Sequence, residues 1–578
     1  MSKHLVVALA LLSSACATTS TSGSSKDSTR SGFPTREKLE QLAASPAPAD
    51  KAIFGDDAGE VDAWDLIGPL PDSIGLAAGS EAGPWAAALV EAAKARPGMV
   101  MISAAMDCVA REAGHFWLER NAIPGDRLRK YLAGRCGAPV VSVGTAYLSS
   151  KVDARASDAE VFEHWKTQYQ DFVKKSVSSG QRLAGVWFGR KGDRAIAMVA
   201  TGVRAAHVET MPMRPVAGQV ELRGESLEQA EDLRALVTRG RFGWAECQDD
   251  PAVRPPAFHF KCPAEERDQT AWIQVMARQP NRVLAREVLG LLVLPGAGDG
   301  ARYASPSYEG ATLAAGAFEA TFAGLLNAVR SEAGLKPVEF SAPQSATAAA
   351  LVPHYFASVQ GLEPASVADM VMIGMQAGWS VDGLVRYGHV VSNSIGGTDQ
   401  PARLLATSLQ LPIGRETLLD PEARTLAIGT LQVSEAKGLA AVLATYAHFE
   451  QAATATDRAK VFEALAKARA AEGRSAPRAL EGVDAAVAQV EADLKSGHVQ
   501  GREAMNRFMS ALKGRRSRPA RMHAFMFQTS SLEELKFAPE LLRSSDLRVG
   551  IAVAISRSEG EPWASYVVLI VNIEDEQT

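Results

Sequence analysis

The chain lacks a dominant charge, a rich aromatic complement and any surplus of cysteine. Its 578 residues carry 61 Lys and Arg against 66 Asp and Glu, a formal net charge of -5. That balance excludes the broad basic surface that nucleic-acid binding requires. Aromatics make up 6% of the residues, too few for an extended carbohydrate-stacking face. No later stretch offers the roughly eighteen uninterrupted apolar residues of a membrane-crossing helix.

Catalytic signatures are missing too. There is no HExxH helix, no GxxxxGK[ST] phosphate loop and no GxGxxG after a strand, so metalloprotease, nucleotide and dinucleotide readings have no support. The strings nearest to a nucleophile elbow, VVSVG around Ser142 and SNSIGG around Ser394, lack its leading Gly. The 10 His are scattered singly, without metal-ligand spacing. The adjacent acids Asp249 and Asp250 read as a solvated turn, because a calcium loop needs several more oxygen ligands. No cofactor is expected.

What is present begins at the N-terminus. MSKHLVVALALLSSAC places Lys3 and His4 before an apolar run from Leu5 to Leu12 and leads through small residues into Cys16, the pattern of a bacterial lipoprotein signal peptide. Ser13 stands where Leu is commonest, and Leu12 lies one place earlier. Cys16 is the expected lipidation site, so the mature protein is expected in the cell envelope, tethered to the membrane by lipid. Ala17 and Thr18 lack the inner-membrane retention Asp, which favours the outer membrane, facing the periplasm or the cell surface. The Ser/Thr/Gly tract after Cys16 reads as a flexible tether over 17–50.

Setting Cys16 aside leaves Cys108, Cys136, Cys247 and Cys262, an even number for an oxidising compartment. Local spacing predicts the pairs Cys108–Cys136 and Cys247–Cys262. Zinc is the rival reading, although no close CxxC or HxH accompanies them.

From about Trp64, Ala-rich helical stretches alternate with Val/Ile runs, an α/β pattern. The pattern repeats. FAGLLNAVRSEAGLKPVEF from Phe322 lies against FEALAKARAAEGRSAPRAL from Phe462, and ISAAMDCVAREAGHFW from Ile102 against FSAPQSATAAALVPHY from Phe340. Each copy then has a short β-rich turn region, from Val140, Val390 and Ala524, and closes on a hairpin from Arg182, Arg424 and Leu547. Between copies one and two, GQVELRGE, FGWAEC, AFHFKC, TAWIQVMA and VLGLLVLP predict a small β-sandwich over 207–298, followed by a Gly/Ala/Ser-rich linker from Gly296 to Pro306. The copies are placed at 51–206, 310–448 and 456–578.

The order of elements in each copy resembles the CAP superfamily, which includes cysteine-rich secretory proteins, antigen 5 and pathogenesis-related proteins. LLNAVRSEAGLKPVEF is similar to that family's opening helix and turn, and LPIGRETLLDPEARTLAIGTL to its later loop and strand. The resemblance implies tandem three-layer α-β-α sandwiches with an inserted β-sandwich. The family's cleft commonly gathers two His and two acids, able to hold a divalent cation. Here the acid-bearing Gly-Glu-Asn-Ile segment corresponds to Ser142–Thr145, Ser392–Ile395 and Gln528–Ser531, none with an acid at the matching place. In place of Ser-Pro-Gly-His-Arg stand Leu411 to Arg415 in copy two and Ala538, Pro539, Glu540 in copy three. The resemblance therefore transfers no catalytic or metal-binding residue.

His115 and His354 recur inside long helices, where packing is the plain role; His354 and His389 are candidate groove contacts. Lys513, Arg515, Arg516, Arg518 and Arg521 form the one basic run, a candidate contact for anionic head groups or wall polymers, or a solvated loop. Trp379 and Trp563, beside Gly and Pro, are candidate groove-lining residues. Two functions remain in play. One is a non-catalytic envelope lipoprotein whose degenerate domains bind a lipid or protein partner. The other is a metal-assisted hydrolase of peptide or cell-wall material, which requires two or more of His354, His389, Glu416 and Asp420 to converge.

Overall fold

Strands buried on both faces force helices onto both sides of a sheet, and this chain meets that condition three times. In the first instance the hairpin is Arg182–Lys191 with Arg194–Val203. Ala184, Ala195, Ala197 and Val199 pack against Trp85, Leu89, Phe162 and Tyr169 of helices Pro84–Lys94 and Asp158–Ser176. The alternate residues Leu183, Ile196, Met198 and Ala200 face Met106, Phe116, Leu128 and Leu132 of helices Ala104–Arg120 and Asp126–Arg135. The class is α/β. This computed structural model describes residues 33–48, 59–79, 83–95, 97–177, 182–264, 270–280, 285–294, 300–305, 318–396, 401–433, 438–449, 455–495, 501–513, 520–544, 547–557 and 560–575.

Two further strands complete that sheet. Val100–Ile102 runs parallel to Arg182–Lys191, and Val143–Lys151 runs antiparallel to Arg194–Val203. The same strand order recurs as Glu339–Phe340, Ala423–Val433, Gly438–His448 and Val385–Gly396, and again as Arg478–Ala479, Arg548–Ser556, Ser565–Asp575 and Ala520–Thr529. Each time the short first strand is parallel to its neighbour. The segments expected as short turn regions are corrected here. They belong to full outer strands of 9, 12 and 10 residues. In the first two, Ser, Thr or Gly interrupt the apolar residues, which disguised them as turns.

The intervening segment folds into two four-stranded sheets, ordered Gly243–Glu246, Asp232–Arg239, Ala271–Arg278, Ala285–Val293 and Gln248–Asp249, Ala257–Pro263, Gln219–Ser226, Ala206–Val208. Leu222, Val237, Phe258, Phe260, Ile273 and Leu289 share one core between them. Disulfides join Cys247 to Cys262 inside this sandwich and Cys108 to Cys136 across two helices of the preceding domain.

Two boundaries differ from the sequence reading. The tether does not reach residue 50, because Arg36–Ala43 is a helix that buries Leu39. Part of the expected linker is a strand: Arg302–Ala304 pairs antiparallel with Ala63–Asp65, held by buried Tyr303 against Tyr131 at 5.2 Å between ring centres. Among the described residues, no helix is long and apolar enough to cross a membrane.

The described chain divides into two compact units. The larger holds 37–375 and 389–445, and the other includes 376–388 and 446–575. In the smaller unit Trp379 donates to the Pro34 carbonyl at 3.1 Å, and Trp563 to that of Gln376 at 3.3 Å while its ring meets Phe33. Both indoles are thus spent on packing rather than on lining a groove.

One anchor recurs in copies two and three. Helix Phe318–Glu332 ends on Gly334 in the left-handed region, φ 73°, a conformation only Gly adopts cheaply. Four residues before it the fully buried Arg330 donates to the carbonyls of Lys336 at 2.8 Å, Leu418 at 2.7 Å, Asp420 at 3.1 Å and Ala423 at 3.3 Å. Arg469, four residues before left-handed Gly473, does the same for Ser475, Leu541, Leu542 and Ser544. Burial pushes the Arg330 guanidinium down to about 10, partly offset by the Asp420 carboxylate. In copy one the place before Gly98 is held by Lys94, an exposed side chain paired with Glu91.

Arg330→Met is expected to destabilise the second domain by about 3–5 kcal/mol, because it strands several buried carbonyls. Arg330→Lys should recover little of this, since a compact ammonium lacks the planar fork that reaches all four carbonyls. Equilibrium denaturation of both variants measures the difference.

Candidate functional site

The polar groups that could build a cleft lie in the second α/β domain, and the structure distributes them among separate partners. His354 lies in helix Ala342–Val359, which opens on Ser341 as N-cap. It is buried, with Nδ1 2.9 Å from Glu363 Oε1 and Nε2 3.1 Å from the Ser45 carbonyl. It is a packing histidine whose two ring nitrogens both face acceptors.

Glu416 sits on the short helix Pro412–Leu418, inside the LPIGRET segment. Its carboxylate accepts both arms of Arg234 from the β-sandwich, at 2.8 and 2.9 Å. The Glu416 side chain is 1% exposed and that of Arg234 18%. Burial opposes the charge on Arg234, and the Glu416 carboxylate more than offsets it, raising the guanidinium above its ordinary value. The neighbouring Arg415 donates to the carbonyls of Gly240 at 3.0 Å and Gly243 at 2.8 Å. The Ile413 amide donates to Gln274 Oε1 at 3.1 Å; Gln274 in turn donates to Glu287, which lies 3.3 Å from Lys130 Nζ of the first domain. A polar chain thus links three domains through this one segment.

His389 and Asp420 do meet. His389 Nε2 lies 3.7 Å from Asp420 Oδ2, a buried oxygen without a hydrogen bond. Asp420 Oδ1 accepts the Glu422 amide, and the Asp420 carbonyl serves Arg330. The hydrolase reading requires two or more of the four side chains to converge, and this pair is adjacent, whereas His354 and Glu416 are held by other partners. Among the described residues, no group of three or more His, Cys, Asp and Glu could hold a metal ion.

Ser392 and Asn393, on the outer strand of the second domain, bond inward. Ser392 Oγ lies 2.6 Å from Tyr355 Oη, and Asn393 donates to Ser408 Oγ at 2.9 Å. Burial raises the Tyr355 phenol. In the first domain His115 packs on Trp64, 5.9 Å between ring centres. Two surface clefts lie elsewhere: one of about 340 Å³ beside Pro84, Trp85, Asp158 and Phe188, and one of about 470 Å³ on the sandwich beside Glu209, Arg214, Glu221 and Lys261.

Asp250 caps its own turn, accepting the Ala252 amide at 3.0 Å, and faces His259 Nδ1 at 3.0 Å; Glu221 meets His259 Nε2 at 2.7 Å. The Ala252 bond first and then His259 hold Asp250 below its ordinary value. The turn expected for Asp249 and Asp250 thus starts at Asp250, and Asp249 is corrected to a residue of strand Gln248–Asp249, paired with Phe260. Cys16, Arg515, Arg516 and Arg518 lie outside the described residues. No protein-family model matches this chain, and no curated protein matches it.

Sequence reasoning flagged Glu416 and Asp420 but missed Arg234, because nothing local distinguishes an Arg that pairs 182 residues away. Glu416→Gln is expected to cost about 3–5 kcal/mol by leaving Arg234 buried and unpaired, whereas the apolar pair Arg234→Met with Glu416→Leu should be near neutral. Thermal unfolding of the three forms checks this.

Proposed function

We propose that the protein is a non-catalytic lipoprotein of the bacterial cell envelope, in which three degenerate CAP-like domains and a β-sandwich form a scaffold for a protein or lipid partner. The observation that carries this reading is the commitment of Glu416. The segment that would bring the second cleft histidine in the CAP resemblance instead clamps the second domain onto the sandwich. The recurrence of one strand order in three four-stranded sheets supports reading the copies as repeats of one ancestral domain. The two disulfides fit an oxidising compartment. Scaffolds of this kind are read from their sites, because a fold alone confers no chemistry.

The His389–Asp420 contact favours a second reading, a metal-assisted hydrolase of peptide or wall material. An imidazole beside a buried carboxylate oxygen is half of a ligand set, and a cation would satisfy that oxygen. Thermal unfolding with Zn²⁺, Ca²⁺ or EDTA separates the readings, since a ligand of the native state raises its midpoint by mass action. A constant midpoint is expected. A rise of several degrees with one metal, reversed by EDTA and abolished in His389→Ala, makes the hydrolase the better account. The anchor has its own test: Cys16→Ser is expected to move the protein from the membrane fraction to the soluble one.

A further inference from the structure

In copies one and two, the connection from the outer strand to the hairpin carries a helix that closes one face of the sheet. Between Val143–Lys151 and Arg182–Lys191 it is Asp158–Ser176, of 19 residues, which buries Val161, Phe162, Trp165, Tyr169 and Val173. Between Val385–Gly396 and Ala423–Val433 it is Pro401–Gln410, of 10 residues, which buries Leu404, Leu405 and Leu409. Copy three departs from this. From Ala520–Thr529 to Arg548–Ser556 its described residues form a 3₁₀ turn, Leu532–Glu534, and a helix of 5 residues, Pro539–Arg543.

The sheet still turns an apolar face to that side. Val549, Ile551, Val568 and Ile570 share a core with helix Ala455–Ala471, and Leu532, Leu541 and Leu547 of the connection cover part of it. Phe525 and Phe527 of the outer strand, with Phe537 and Tyr566, stay half-buried. In copy two, where a full helix lies on the equivalent face, the outer-strand residues Val391 and Ile395 are 8% and 4% exposed. Large rings on the outer strand have therefore not closed the layer that the shortened connection leaves thin.

We propose that this face of copy three takes an amphipathic helix from another polypeptide, in the place that the chain's own helix fills in copies one and two. The proposal rests on reading the copies as repeats and deepens the scaffold reading by giving the partner a form. The occupant's chemistry is read from the copies that are closed. It needs an apolar stripe at i, i+3 or i+4, and i+7, as Phe162, Trp165 and Tyr169 provide in copy one, with polar residues on its outer side. Rings already held at one edge lose little freedom when a partner covers the other, so the face is prepared for such a helix.

The test is site-specific photocrosslinking of the full chain in intact cells. Benzoylphenylalanine replaces Phe525 in one variant, Phe527 in a second, and Val359 of the second domain, 60% exposed, in a control. Because the replacement is itself a large aromatic, the first two variants are expected to keep the wild-type unfolding midpoint. Irradiation should join positions 525 and 527 to one segment of another protein, with apolar residues at helical spacing. The yield should stand roughly tenfold above the control, the ratio that a preference of about 1.4 kcal/mol gives. Crosslinks that stay within this chain, that reach a second copy of it or lipid, or that do not exceed the control would overturn the proposal. The readout involves neither metal nor the anchor, so failure here is separate from a metal-dependent midpoint or from failure of Cys16→Ser to change fractionation.

Discussion

The bidentate contact between Arg234 and Glu416 constrains most of what the larger unit can be. A buried charge pair of this kind is only marginally favourable against apolar replacements, yet breaking one side is severe. Its effect is therefore to specify an arrangement rather than to add stability. The short helix that carries Glu416 is thereby shared: Glu416 points to the sandwich, while Leu418 packs in the core of the second domain. Arg415 reinforces the point by filling the carbonyls of the 239–243 turn. The Gln274–Glu287–Lys130 chain extends the same specification to the first domain.

Much of the fold was legible in the sequence because its signals are local. The hairpins from Arg182, Arg424 and Leu547 announce themselves by apolar runs around a polar turn, and the structure holds them as adjacent antiparallel or neighbouring strands. The match of Ser103 with Ser341, made on letters alone, has a physical basis. Each starts a long helix, and each donates its amide to the strand beside the short parallel one, Ser103 to Ala184 at 3.0 Å and Ser341 to Leu426 at 2.8 Å. The cysteine pairs were legible because short loops leave few geometries.

Other features were hidden for the opposite reason. Strand Asp232–Arg239 escaped notice because acidic residues precede it and its apolar run is only three residues long, although it lies in the centre of its sheet. The helix Arg36–Ala43 looked like tether because its one buried residue, Leu39, sits among Glu, Lys and Gln. His354 could be placed on a helix but not assigned a partner, since Ser45 lies 309 residues earlier. The candidate site was thus readable as a list of residue types and unreadable as a set of contacts.

The unequal fate of the buried arginine shows how the copies diverge. In copies two and three a guanidinium ties the end of the opening helix to the loop before the third strand, so both copies need that residue to hold their outer layer. Copy one has an exposed Lys94 in its place and secures the same layer differently. Trp85 stacks on Phe188 at 4.4 Å and meets Phe162, Trp165 and Tyr169 edge-on, while the Tyr169 hydroxyl donates to the Trp85 carbonyl at 3.1 Å. On the opposite face the Cys108–Cys136 bridge fastens two helices. Aromatic packing tolerates changes in loop length better than a fork that must reach fixed carbonyls. In copy one the turn between helix and first strand is shorter, Val100 following Gly98 by two residues while Glu339 follows Gly334 by five. The repeats retain a common strand order because the sheet imposes it, and they differ in the outer layers, where several kinds of chemistry can satisfy the same need for closure.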